Sequence, residues 1–104
     1  MLNVLVVAKD DCIRTSLAGV LKSLGFSVFT SHGSPPPDAL VAWEPDPNEV
    51  RELRTTHVDA AIVVCTSEHR RAWDGATAVV PMPFNASRVA RELARAVRRQ
   101  RVAA

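Results

Sequence analysis

Cysteine is scarce in this chain: Cys12 and Cys65 are its only two, and they lack the spacing of a disulfide framework. With no secretory leader read before them, a reduced, cytoplasmic protein is expected. Long apolar runs are absent as well. The opening stretch, residues 2–8, is far too short for a signal peptide or a membrane span, so no membrane association is expected. No glycine-rich loop follows that stretch, which argues against nucleotide binding. His32, His57 and His69 have neither zinc-ligand spacing nor a Cys-x-x-Cys pair to complete a site. No metal and no cofactor are therefore expected. Internal repeats are lacking too, and the one biased stretch, Gly33-Ser34-Pro35-Pro36-Pro37, reads as a stiff connector.

What is present suits a folded core. Hydrophobic residues make up 47% of the 104, enough to rule out disorder and a disulfide-held miniature, and the length fits one domain spanning 1–104. The net charge of +2 hides a division. Residues 1–52 carry four Lys/Arg against seven Asp/Glu, while residues 53–104 carry nine against four. Most of that basic excess falls on one predicted helix, which reads as a solvated or partner-facing surface.

Along the chain, Val4-Leu5-Val6-Val7-Ala8 is β-branched and nearly continuous, as a strand covered on both faces should be. Asp10 and Asp11 supply a cap and negative charge for a helix start. Ile13, Leu17, Val20, Leu21 and Leu24 then recur at helical spacing, and Gly25 stands where the helix should stop. A second strand over 26–30 completes β-α-β, the signature of a right-handed crossover and a parallel sheet. A third strand is predicted over 39–43. Asp46-Pro47-Asn48-Glu49 opens a short helix running to about Thr56, with Val50 and Leu53 inward. A fourth strand over 60–65, a short helix over 67–74 ended by Gly75, a fifth strand over 78–80 and a last helix capped by Asn85 follow. The fold class is therefore α/β, a doubly wound five-stranded parallel sheet of order 2-1-3-4-5. One helix is missing, because only the proline connector separates the second and third strands.

This succession resembles the receiver domain of bacterial response regulators, over nearly the whole chain. The resemblance is carried by residues 6–26, by Val63-Val64-Cys65-Thr66-Ser67 and by Val80-Pro81-Met82-Pro83-Phe84. It implies a flavodoxin-like sheet with five functional groups at the carboxyl ends of the strands. Two acids after the first strand hold Mg²⁺, which takes carboxylates, phosphate and water. An Asp ending the third strand accepts the phosphoryl group, while a Thr or Ser after the fourth and a Lys after the fifth contact its oxygens. Here the acid pair falls on Ala8 and Lys9, the acceptor on Trp43 and the lysine on Met82. Thr66 alone matches, and Asp10 is left as a lone carboxylate beside Lys9. The resemblance thus implies a pseudo-receiver without the phosphorylation site. Trp43 and Met82 read as core or rim packing, which is compatible with their plugging the emptied pocket, and Lys9 with Asp10 reads as an ordinary surface pair.

A non-enzymatic signalling module is expected, working by protein–protein contact as a homodimer or on another protein. The expected contact region contains Trp73, Arg91, Arg95 and Arg98. DNA recognition is disfavoured, since no second helix completes a helix-turn-helix. The alternatives are a small-ligand sensor that uses the emptied crevice and the N-terminal module of a longer regulator. The missing helix also predicts a shallow apolar groove bordered by residues 32–37.

Overall fold

The computed structural model describes residues 2–30, 36–68, 70–82 and 85–103, apart from the side chains of Ala86 and Ala103. Strand β1 (Asn3–Val7) leads into helix α1 (Asp11–Ser23), whose N-cap is Asp10. The Asp10 carboxylate accepts from the Ile13 N–H at 3.0 Å, satisfying one of the donors a helix start leaves open. At the other end Gly25 takes φ +97°, and the N–H groups of Gly25 and Phe26 donate back to the Lys22 and Leu21 carbonyls. This reciprocal closure needs a left-handed residue, which is why glycine stops the helix there. Strand β2 (Ser27–Phe29) follows.

Strand β3 (Ala39–Trp43) enters helix α2 (Pro47–Thr56) through a full capping box. The Glu49 N–H donates to Asp46 at 3.0 Å, and the Asp46 N–H donates to the Glu49 carboxylate at 3.3 Å. Strands β4 (Ala61–Thr66) and β5 (Ala78–Pro81) and helix α3 (Ala86–Ala103) complete the chain. All strand pairs are parallel, in the order β2-β1-β3-β4-β5, as the sequence pattern predicts.

Burial separates the two faces of the sheet. Val4, Val6, Ala39, Val41, Val63 and Cys65 pack with α1 and α3. Leu5, Leu40, Ala42, Ile62 and Val64 pack with α2 and with Trp73. All six residues of β4 are buried, which is what its unbroken apolar run requires of a central parallel strand.

Three expectations change. Residues 67, 68 and 70–74 are turn and bend instead of helix. Only Ala72 and Trp73 are apolar there, so no amphipathic face exists to be buried. Both the Arg71 N–H and the Trp73 indole N–H donate to the Glu68 carbonyl, curling the segment round it. Along α1, Val20 and Leu24 are 39% and 46% exposed, and Ala18 is buried in their place. The groove expected at residues 32–37 falls mostly outside the described residues. In the strands nearby, Val4, Leu5, Val6 and residues 39–42 are buried, and among the described residues the exposed large apolar side chains are Val20, Leu24, Val58 and Val102.

Candidate functional site

Because the strands are parallel, their carboxyl ends emerge at one edge. Val7 pairs with Ala42, Trp43 with Cys65 and Thr66 with Pro81. Ala8, Trp43, Thr66 and Met82 therefore stand at the ends of four neighbouring strands, and the Met82 N–H donates to the Thr66 carbonyl at 3.2 Å. The backbone brings the sequence-predicted positions together. Their side chains then part.

Ala8 offers no donor atom, and its carbonyl is taken by Arg14 Nη1 at 2.8 Å. Asp10 is committed to the helix cap. Lys9 does not pair with Asp10. Its ammonium reaches across to α2 instead, 3.0 Å from Glu49 and 3.9 Å from Asp46. The hydrogen bond and charge of Glu49 raise the Lys9 pKa. The Glu49 N–H, with Lys9 adding a smaller effect, lowers that of Asp46. At the start of α2 two carboxylates stand together within reach of this ammonium, and their combined charge attracts it.

Trp43 follows the alternation of β3, which puts residues 39, 41 and 43 on the α1/α3 side, and it packs half-buried against that core. Thr66 is buried, and its hydroxyl accepts from the Glu68 N–H at 2.9 Å, stabilising the turn that replaces a helix. Met82 is half-buried beyond β5.

A pairing that sequence reasoning missed lies one residue further on. Glu44 has φ +44°, an unfavourable backbone state for a residue with a side chain. Its N–H donates to the Cys65 carbonyl at 2.8 Å. Its carboxylate accepts from the Ser67 N–H and, at 3.1 Å, from the Ser67 hydroxyl. Only the β3/β4 register places these two together, so no local motif could have announced them. Burial, helped by the Glu44 charge, pushes the neighbouring Cys65 thiol up to about 12.

The residues do not fit a receiver's Mg²⁺ site. That ion needs converging carboxylate oxygens. Ala8 has none, Asp10 is engaged with the α1 backbone, and a lysine ammonium stands between them in sequence, bonded to the acids of α2. Among the described residues no group of three or more His, Cys, Asp or Glu is placed to hold a metal.

The expected contact region also divides. Arg91, Arg95 and Arg98 are exposed along α3. Trp73 is not with them: it is 8% exposed, buried in the α2-side core on the opposite face of the sheet, with its indole N–H donating to Glu68. A large aromatic ring with its one polar atom satisfied gains by burial, which corrects the interface assignment. No helix among the described residues is long and apolar enough to cross a membrane.

No family model matches the sequence, and no curated protein matches it. Solved structures do. A response regulator receiver domain protein from Clostridium thermocellum superposes with a TM-score of 0.81 at 16% identity, covering 100% of both chains. The receiver domain of a sensor histidine kinase from Pseudomonas aeruginosa, whose active-site cleft holds magnesium, gives 0.76 at 18% identity over 92% of this chain and 97% of that one. NtrX from Brucella abortus gives 0.80 at 20% identity over 97% of this chain, which spans only 28% of that protein. The chain has the fold of a receiver domain, with α1 and α3 on one face of its sheet.

Proposed function

We propose that this receiver-like domain is a non-enzymatic signalling module that works by protein contact and does not depend on phosphorylation. The observation that carries this reading is the dispersal of side chains at the carboxyl edge. Trp43 occupies the acceptor position and packs into the core, Ala8 and Lys9 replace the acid pair, and Met82 replaces the lysine. Catalysis of phosphoryl transfer is chiefly positioning and charge stabilisation, and neither is provided by these groups. The fold alone does not specify function, so the reading rests on the site.

The surface best suited to a partner is α3. Arg88, Arg91, Arg95, Arg98 and Arg99 are exposed at helical spacing, and the one acid of that helix, Glu92, is held by Arg95 at 3.2 Å. Two copies of such a stripe repel each other, so an acidic partner surface fits better than pairing of α3 with itself. The match to part of NtrX supports a place for such a domain within a longer regulator.

Beryllofluoride with Mg²⁺ tests the reading, with amide spectra recorded before and after. Superimposable spectra at Thr66 and Met82 are expected. A saturable change at those residues would overturn phosphorylation independence. For the surface, charge reversal at Arg91, Arg95 and Arg98 together should abolish salt-sensitive association with an acidic partner and leave the fold intact. A salt-sensitive homodimer abolished by the same changes would instead favour self-association.

A further inference from the structure

Charge is divided unevenly between α3 and the rest of the chain. Every Asp, Glu, Lys and Arg lies among the described residues, so the division is complete. Helix α3 carries six arginines against Glu92, while the rest carries seven Lys/Arg against ten Asp/Glu. Six of those acids, Asp10, Asp11, Glu44, Asp46, Glu49 and Glu52, stand at or beside the carboxyl ends of β1 and β3, accompanied by Lys9 and Arg14. We propose that α3 of one molecule docks on this acidic edge of a second copy. This rests on the reading of α3 as the contact surface and identifies the acidic partner as the chain itself.

The fold keeps the two surfaces of one molecule apart. Helix α3 starts after β5 at the carboxyl edge and runs back, until Gln100 bonds the Thr77 hydroxyl at 3.3 Å just before β5 begins. Arg95, Arg98 and Arg101 are thereby carried away from the acids toward the amino edge. Of the six arginines, Arg95 alone pairs with an acid, and that acid is Glu92 of the same helix. A complement for the others has to come from outside the molecule.

Acids gather at the carboxyl edge because α1 and α2 both begin there, beyond neighbouring strands, and a helix start favours negative charge. Asp10 and Asp46 each accept a backbone N–H, yet they keep their charge and a carboxylate can take further donors. The side chains of Asp11 and Asp46 are 84% and 55% exposed, within reach of an incoming guanidinium. Glu49 and Glu52, one helical turn apart, flank Val7 at the end of β1. Lys9 already bridges to Glu49 and Asp46, so these acids accept a cation from another element. The contact joins unlike surfaces, as the repulsion between two arginine stripes requires.

Sedimentation of the full chain tests this. Association is expected at about 25 mM salt and its loss at about 500 mM. Arg91→Glu with Arg98→Glu on α3, or Asp11→Lys with Glu52→Lys on the edge, should each weaken it about tenfold or more. Mixing the two folded variants should restore it, because the unchanged helix of one meets the unchanged edge of the other. Lys9→Ala, which removes a cation from the edge, should tighten it about threefold. Amide spectra establish that each variant is folded. A wild-type monomer at low salt, loss on reversal of α3 but not of the edge, no restoration in the mixture, or weakening by Lys9→Ala would each overturn the proposal. Retention on immobilised poly-glutamate separates it from the reading above. A monomer held there through Arg91 and Arg98 overturns only the pairing of copies, whereas one that is not held removes α3 as a contact surface as well.

Discussion

The two ends of the sheet handle their polar groups in opposite ways. At the amino ends of β4 and β5 everything converges on Arg54, in the last turn of α2. Its Nε donates to the Gly75 carbonyl at 2.9 Å, and its Nη1 donates to Val58 at 2.9 Å and Ala60 at 2.7 Å. Its Nη2 reaches the Thr77 hydroxyl at 3.2 Å. That hydroxyl also accepts from the Ile62 N–H at 3.0 Å and donates to Gln100 at 3.3 Å. One planar guanidinium thus joins α2 and the entries to β4 and β5, and Thr77 carries the network on to α3. At the carboxyl ends, where receiver chemistry would sit, most polar bonds are local. Asp10 caps three residues ahead and Thr66 reaches two ahead. The longer links there, Lys9 to Glu49 and Glu44 to Ser67, are made between exposed groups apart from the half-buried Glu49. The contrast separates a polar cluster that joins several elements from an edge whose polar groups serve caps, turns and exposed pairs.

The comparison can be broken most sharply at Arg54. Arg54→Met should cost about 3 kcal/mol in urea unfolding, because several partly buried carbonyls lose their donor together. Arg54→Lys should recover little of it, since an ammonium cannot reproduce the fork. A change below about 0.5 kcal/mol, the range of ordinary surface substitutions, would show that the amino-end cluster holds nothing. Gly75→Ala should follow at about 1–2 kcal/mol. Gly75 has φ +94°, and an added Cβ would meet the Arg54 Cβ at 3.0 Å, so strain and crowding add. At the carboxyl end the expected effects shrink. Asp10→Ala should cost about 1 kcal/mol as a lost cap. Trp43→Asp should fail to create a phosphorylation site by itself, because Ala8 and Met82 would still lack the metal ligand and the cation.

Much of this was legible in the sequence. The strand runs, the Gly25 stop and the Asp46–Glu49 capping box depend on local chemistry and apolar periodicity, and all are present; the 2-1-3-4-5 order, also present, follows from the commonest arrangement of a doubly wound sheet of this size. That Ala8, Trp43, Thr66 and Met82 stand at strand ends was equally readable, since it needed only the bounds of the strands. Three-dimensional choices were not. Val20 falls on the same helical period as Leu17 and Leu21, yet it is 39% exposed while they are buried, a difference that periodicity does not carry. The resemblance alone puts Trp73 in the expected contact region, and its burial accompanies the turn around Glu68. Arg54 carries no signal of its role in the sequence, because that role depends on carbonyls of the next loop and of the distant Gly75 meeting at one guanidinium. The Glu44–Ser67 pairing likewise depends on strand register, which is invisible in either segment alone.

The account stands most directly on the chemistry of the carboxyl edge. Incubation of the full chain with acetyl phosphate and Mg²⁺, followed by intact-mass measurement, should return the unmodified mass at every time point. A mass increase of one phosphoryl group, dependent on Mg²⁺ and mapped to a carboxylate at the β3 end such as Glu44, would contradict it.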